Sequence, residues 1–132
     1  HYTNQGIKEM EKLSINIVDE KMLAKADYAG CFSGANTDKS NLFEYTIDDG
    51  CVPMVKEAPV SMECIVEDIY ETEGFESFIC KIEKTFAEES ILNESGKIDY
   101  RLLKPVLFEI LTYEYLATGD VIGKCMTMGK EQ

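Results

Sequence analysis

Two alternating stretches dominate the chain. Val60, Met62, Cys64 and Val66 alternate with Ser61, Glu63 and Glu67, the period of a strand with one apolar face and one wet face. Glu73-Gly74 supplies a turn, and Phe78, Cys80, Ile82 and Phe86 then alternate against Ser77, Lys81, Glu83 and Thr85. Two such runs around a glycine turn predict a long antiparallel hairpin. Upstream, Leu13, Ile15 and Ile17 alternate with Ser14 and Asn16, which predicts a shorter half-buried strand.

Helical signals are local. Residues 3–12 predict a short helix capped by Thr3, whose hydroxyl can accept from amides one turn on, and Gly6 weakens it. Asp19 predicts the cap of a second helix, with Met22, Leu23 and Ala26 as its apolar stripe to about Asp27. Residues 28–58 are loop-rich, punctuated by Ser33-Gly34, Asn36, Asp48-Asp49-Gly50, Pro53 and Pro59. Loops of that length in a compact domain tend to be functional or mobile. Farther on, Asn93-Glu94-Ser95-Gly96 predicts a turn, and Asp99 predicts the cap of one helical turn that Pro105 ends. Val106 to Leu111, Tyr113 to Leu116 and Val121 to Met128 predict three more strands, the last with Gly123 inside it. The sum is a mostly β, largely antiparallel domain with short helices. Uneven strands broken by Gly and Pro favour a β-barrel over a flat sheet.

Bulk properties narrow the picture. The 132 residues make a single domain spanning 1–132, long enough for a core without metal or disulfide staples. No apolar run approaches the roughly 20 residues that span a bilayer, so no membrane partner is expected. A net charge of −12, with 13 basic against 25 acidic residues, argues against nucleic acid, whose phosphates need clustered Lys and Arg. Five cysteines, at 31, 51, 64, 80 and 125, are odd in number and show no CxxC spacing. They predict free thiols, with Cys64 and Cys80 as small buried hydrophobes, and a reducing, cytoplasmic setting.

Familiar catalytic kits are missing. The only histidine is His1, so a histidine base or triad has no candidate, and no Walker-type phosphate loop occurs. Asp48-Asp49 and Glu88-Glu89 read as solvated turn residues. No catalytic side chain is therefore expected, and an enzyme built on this chain would take its reactivity from a cofactor.

Several short phrases recur in a fixed order: Tyr2-Thr3, Ser14-Ile15-Asn16-Ile17, Ala26-Asp27-Tyr28-Ala29-Gly30, Ser33-Gly34 and Asp38-Lys39. Ala58-Pro59-Val60-Ser61-Met62-Glu63-Cys64, Phe78-Ile79 with Lys81-Ile82, and Gly119-Asp120-Val121-Ile122-Gly123-Lys124 continue the series. Together they resemble the FMN-binding split barrels of the flavin reductase and flavoredoxin family. The resemblance implies a Greek-key-like split barrel, a homodimer with the flavin at the subunit interface, and FMN as cofactor. It implies contacts from Tyr2, Thr3, Ser33, Gly34, Asp38 and Lys39. The Thr3 hydroxyl would hold the FMN phosphate at a helix start, where the first-turn amides favour an anion. From residue chemistry alone a plain helix cap is an equal account of Thr3. Lys39 alone reads as a solvated loop lysine, whereas the resemblance places it beside the flavin. Ser33 and Gly34 would permit close backbone approach to the ligand.

The implied reaction carries electrons from NAD(P)H to flavin, or between redox protein partners. A non-catalytic FMN carrier and a cofactor-free dimeric relative are the alternatives. Tyr113 and Tyr115 fall where the family places aromatics near the cofactor, although core or dimer packing explains them as well. Two departures stand out. Phe75-Glu76-Ser77 occupies the place where many family members carry a histidine. In the family a barrel segment also precedes the Tyr-Thr step, whereas here only His1 does. The expectation is an N-terminally incomplete barrel, and an incomplete pocket with weak or absent FMN if the molecule begins there.

Overall fold

The computed structural model describes residues 2–31 and 41–132. Helix α1 (Tyr2–Met10) ends where Glu11 turns left-handed, at φ 59°, and its N–H reaches back to Ile7 O at 2.8 Å. Strand β1 (Lys12–Ile17) leaves directly from that turn. Because α1 begins at Tyr2, Thr3 lies inside the first turn rather than at the cap position the sequence predicted. Asp19 does cap the next helical segment, its Oδ1 accepting from Met22 N–H at 3.0 Å. Helix α2 (Leu23–Cys31) runs on past Asp27, where the apolar stripe had suggested an end.

The predicted hairpin is present and longer than its alternation. β4 (Val60–Thr72) and β5 (Phe75–Ala87) are each 13 residues and turn at Glu73-Gly74, where Gly74 supplies φ 84°. β1 lies antiparallel on the other side of β4, pairing Leu13 with Cys64 and Ile17 with Val60. The sheet order is β1-β4-β5, with register shifts at Glu63/Cys64 and Val66/Asp68. Two small ribbons accompany it: β2 (Tyr45–Thr46) with β3 (Met54–Val55), and β6 (Val106–Glu109) with β7 (Glu114–Ala117). The fold is thus mostly strand, as predicted, but among the described residues these sheets stay open and do not close into a barrel.

Capping chemistry shapes the connection between β5 and β6. Asn93 Oδ1 accepts from the N–H groups of Ser95 and Lys97, and Gly96 turns the chain at φ 76°. Asp99 caps α3 (Tyr100–Leu103), which Lys104 closes at φ 50° before Pro105. This folds Ile91 and Leu103 onto Val60, and Ile17 and Ile98 complete the core. Leu103 is 4% exposed, which ties the α3 turn to the end of the main sheet.

Two expectations fail. Residues 121–128 form no strand; a 3₁₀ turn at Met128–Glu131 follows them, and Val121 and Ile122 are exposed. A strand needs a hydrogen-bonding neighbour, and this segment has none among the described residues. Nor is the polar face of β4 wet: Ser61 and Glu63 are buried. The chain from Asp48 to Val55 folds over them. Asn16 Oδ1 accepts from both Ser61 Oγ at 2.9 Å and Val55 N–H at 3.0 Å, joining β1, β3 and β4 through one amide. Asn16 Nδ2 donates to Ser14 Oγ, which in turn donates to Pro53 O. No described helix is long and apolar enough to cross a membrane.

Candidate cofactor site

The start of α1 is the part of the expected site that the structure describes. Its first turn holds Thr3 and Asn4 and no acidic residue of its own, although the Glu76 carboxylate reaches the Asn4 amide from the hairpin. Thr3 is exposed there. The first-turn amides and the Thr3 hydroxyl are the donors that this end offers an anion.

The helix is tied to the hairpin from its first turn to Lys8. Lys8 Nζ pairs with Glu71 Oε1 at 2.7 Å and also with Glu76 Oε2, while Asn4 Nδ2 donates to Glu76 Oε1 at 3.2 Å. Glu71 and Glu76 are opposite one another near the hairpin tip, so one lysine bridges both strands. The Lys8 ammonium, then the Asn4 amide, hold the Glu76 carboxyl below the usual carboxylate range. The two glutamates hold Lys8 above its ordinary value. Sequence periodicity had no means of singling out Asn4 or Lys8, because their partners lie more than sixty residues away.

A second wall forms where α2 meets the β6–β7 ribbon. Tyr115 donates its hydroxyl to Asp27 Oδ1 at 2.7 Å, and that bond, with burial and the carboxylate charge, raises the phenol above its usual range. Phe108 stacks between Tyr115, at 5.3 Å, and Tyr113, at 5.9 Å. The tyrosines thus pack on Phe108 at a surface instead of entering the core. α2 ends at Cys31, directly before the segment expected to face the flavin. Ser33, Gly34, Asp38 and Lys39 lie outside the described residues, as does the side chain of Tyr2, so the structure places only Thr3 of the six predicted contacts.

All five cysteines are free; Cys64 is buried as expected, whereas Cys80, on the edge strand, is only half-buried. Burial, reinforced by Cys80, pushes the Cys64 thiol above its ordinary range, which makes it a poor nucleophile. No group of three or more metal-ligating side chains gathers among the described residues.

Residues 1–110 match the family described as Flavin reductase like domain. The structure is similar to that of flavoredoxin from Methanosarcina acetivorans, with a TM-score of 0.94 and 34% identity, covering 99% of this chain and 70% of that one. Flavoredoxin of Desulfovibrio vulgaris (Miyazaki F) gives 0.88 at 30% identity, over 97% of this chain and 70% of that one. An FMN-binding protein from Thermus thermophilus shares the fold at 16% identity, with a TM-score of 0.78 over 94% of this chain and 68% of that one. No curated protein sequence matches the chain closely enough to count as a relative.

Proposed function

Because the chain belongs to the flavin reductase-like family of split-barrel proteins, we propose that it binds FMN and passes electrons through it as a homodimer. The observation that carries this reading is the first turn of α1, which has no acidic residue of its own and exposes Thr3 at the place where a phosphate is expected. Bound FMN supplies the hydride and single-electron chemistry that this chain's side chains lack.

The protein's own part is to bind and to orient. The α1 amides and Thr3 hold the phosphate, and the Lys8–Glu71–Glu76 anchor keeps that helix end in place on the hairpin. Tyr2, Ser33, Gly34 and Asp38 approach the ligand, and Lys39 brings a cation that favours the negative charge of the reduced ring. A second copy of the chain covers apolar surface left open here, including Ile82 on β5 and Leu107 on β6. Free thiols throughout suit a cytoplasmic setting.

Electrons enter from NAD(P)H or from a redox protein partner. Adding FMN to the purified protein should quench flavin fluorescence and raise the unfolding temperature. Unchanged fluorescence together with unchanged melting contradicts flavin binding. NADH oxidation with FMN present separates the two electron sources: turnover identifies a reductase, and tight FMN binding without turnover identifies a carrier served by a protein partner.

A further inference from the structure

Residues 47–53 run across the face of β4 that carries Glu63, and Gly50 marks the crossing. A Cβ at Gly50 would stand 2.5 Å from Glu63 Oε2 and 3.1 Å from Asp48 Oδ1, so only glycine lets the loop come this close. Glu63 is 4% exposed, and its Oε1 has no hydrogen-bond partner among the described residues. Glu63 Oε2 and Asp48 Oδ1 both border the space where a Gly50 Cβ would stand, so the two carboxyl groups meet at this crossing. Two ionised carboxylates offer only acceptors, so a direct bond between them requires one retained proton.

The surroundings decide which group keeps it. Asp48 accepts from Gly50 N–H at 2.8 Å and from Lys84 Nζ at 3.1 Å, which suits a charged carboxylate. Glu63 has a buried oxygen with no donor at all, which suits a neutral acid. From this geometry we propose that Asp48 and Glu63 form a proton-dependent clasp. With one shared proton it pins the 47–53 loop onto β4, and loss of that proton releases the loop and opens the cleft of about 260 Å³ beneath it.

The carboxylates around Glu63 fit that direction, and Lys84 opposes it. The loop presents Asp48 and Asp49, β1 presents Lys12, and β5 presents Glu83 and Lys84; the Cys64 thiol, neutral for the reason given above, also lines the cleft. Both lysines are already engaged with the loop, Lys84 on Asp48 and Lys12 on Gly50 O at 3.4 Å. A second negative charge at Glu63 would thus face three carboxylates with no uncommitted cation to meet it. The bond to Asp48, then burial, holds the Glu63 carboxyl above the usual range, and the same bond with Gly50 N–H and Lys84 holds Asp48 below it. The clasp is closed between those two values. Rising pH through the elevated Glu63 value removes its proton, and falling pH through the depressed Asp48 value removes the partner's charge. The clasp is independent of flavin binding.

The test is an NMR titration of the full chain from acid to mildly alkaline pH. It follows the Glu63 side-chain carboxyl carbon and the amides of Gly50, Cys51 and Val52. The expected result is one shared transition with a midpoint above that of an ordinary glutamate. In Glu63→Gln, whose amide keeps a donor toward Asp48 at every pH, the loop transition should be lost. Glu63 titrating at or below the ordinary value, loop amides that do not follow it, or a loop transition that survives Glu63→Gln would each overturn the clasp. Should Glu63→Gln not fold, Asp48→Asn serves instead. Its amide can donate to an ionised Glu63, so the Glu63 midpoint should fall toward the ordinary value, and an unmoved midpoint also overturns the proposal.

Discussion

The two strands of the long hairpin have the same alternating pattern and opposite fates. On β4, even the polar positions Ser61 and Glu63 are buried. On β5, the apolar positions Ile82 and Phe86 are 54% and 41% exposed. The cause lies outside both strands. β4 has β1 on one side, β5 on the other, and the Asp48–Val55 segment across its polar face, while β5 is the edge of the sheet among the described residues. Alternation reports that a strand pairs; its neighbours determine which face is covered.

The contrast breaks most visibly in the core at the β4 end. Leu103→Ala removes a buried side chain packed on Val60 and Ile91, and should cost about 2–5 kcal/mol in denaturant unfolding. Ile82→Ala on β5 should cost about 0.5 kcal/mol or less in the monomer. Equal losses at the two positions would erase the distinction between the covered strand and the edge strand.

Next in size is Asn16→Ala. It leaves the Val55 N–H and the Ser61 hydroxyl without their shared acceptor, and should cost about 1–3 kcal/mol. A smaller loss would mean that the covering of β4 holds without this amide. Ile82→Asp tests the exposed strand from the other side. It should leave monomer folding nearly intact and shift sedimentation from dimer toward monomer, whereas an unchanged dimer would show that this face of β5 is not the interface.

The α1 anchor gives the smallest effect. Lys8→Met should lower the melting temperature slightly, and added salt should shrink the difference, because these charges are solvated. Glu76 is held below the usual carboxylate range, so the anchor is intact above the ordinary glutamate value and fades as pH falls through the depressed one. Amide exchange along α1 that ignores both acid and salt would contradict this assignment.

What was legible in the sequence was local chemistry. Asp19, Asp99 and Asn93 each satisfy backbone donors a few residues away, and Glu73-Gly74 turns the hairpin where an αL glycine was available. What escaped depended on distant chain. Asp48-Asp49 read as a solvated pair, yet Asp48 is bonded to Glu63 and Lys84, far along the sequence. Residues 121–128 had the composition of a strand but have no strand to pair with among the described residues. For the site, the ordered phrases pointed to the family and to the start of α1. The cap reading of Thr3 put it before the helix, whereas it lies inside the first turn, because a cap position depends on where the first hydrogen-bonded turn closes.

The reading of α1 as a phosphate-binding end is tested most directly by comparing FMN with riboflavin, which differs by that phosphate alone. Titrations of the protein should show FMN binding at least about tenfold tighter, since charge-assisted bonds to a phosphate contribute about 1.5–3 kcal/mol. Thr3→Ala should narrow the gap while leaving riboflavin affinity unchanged. Equal affinity for the two flavins, or a gap untouched by Thr3→Ala, would contradict the account.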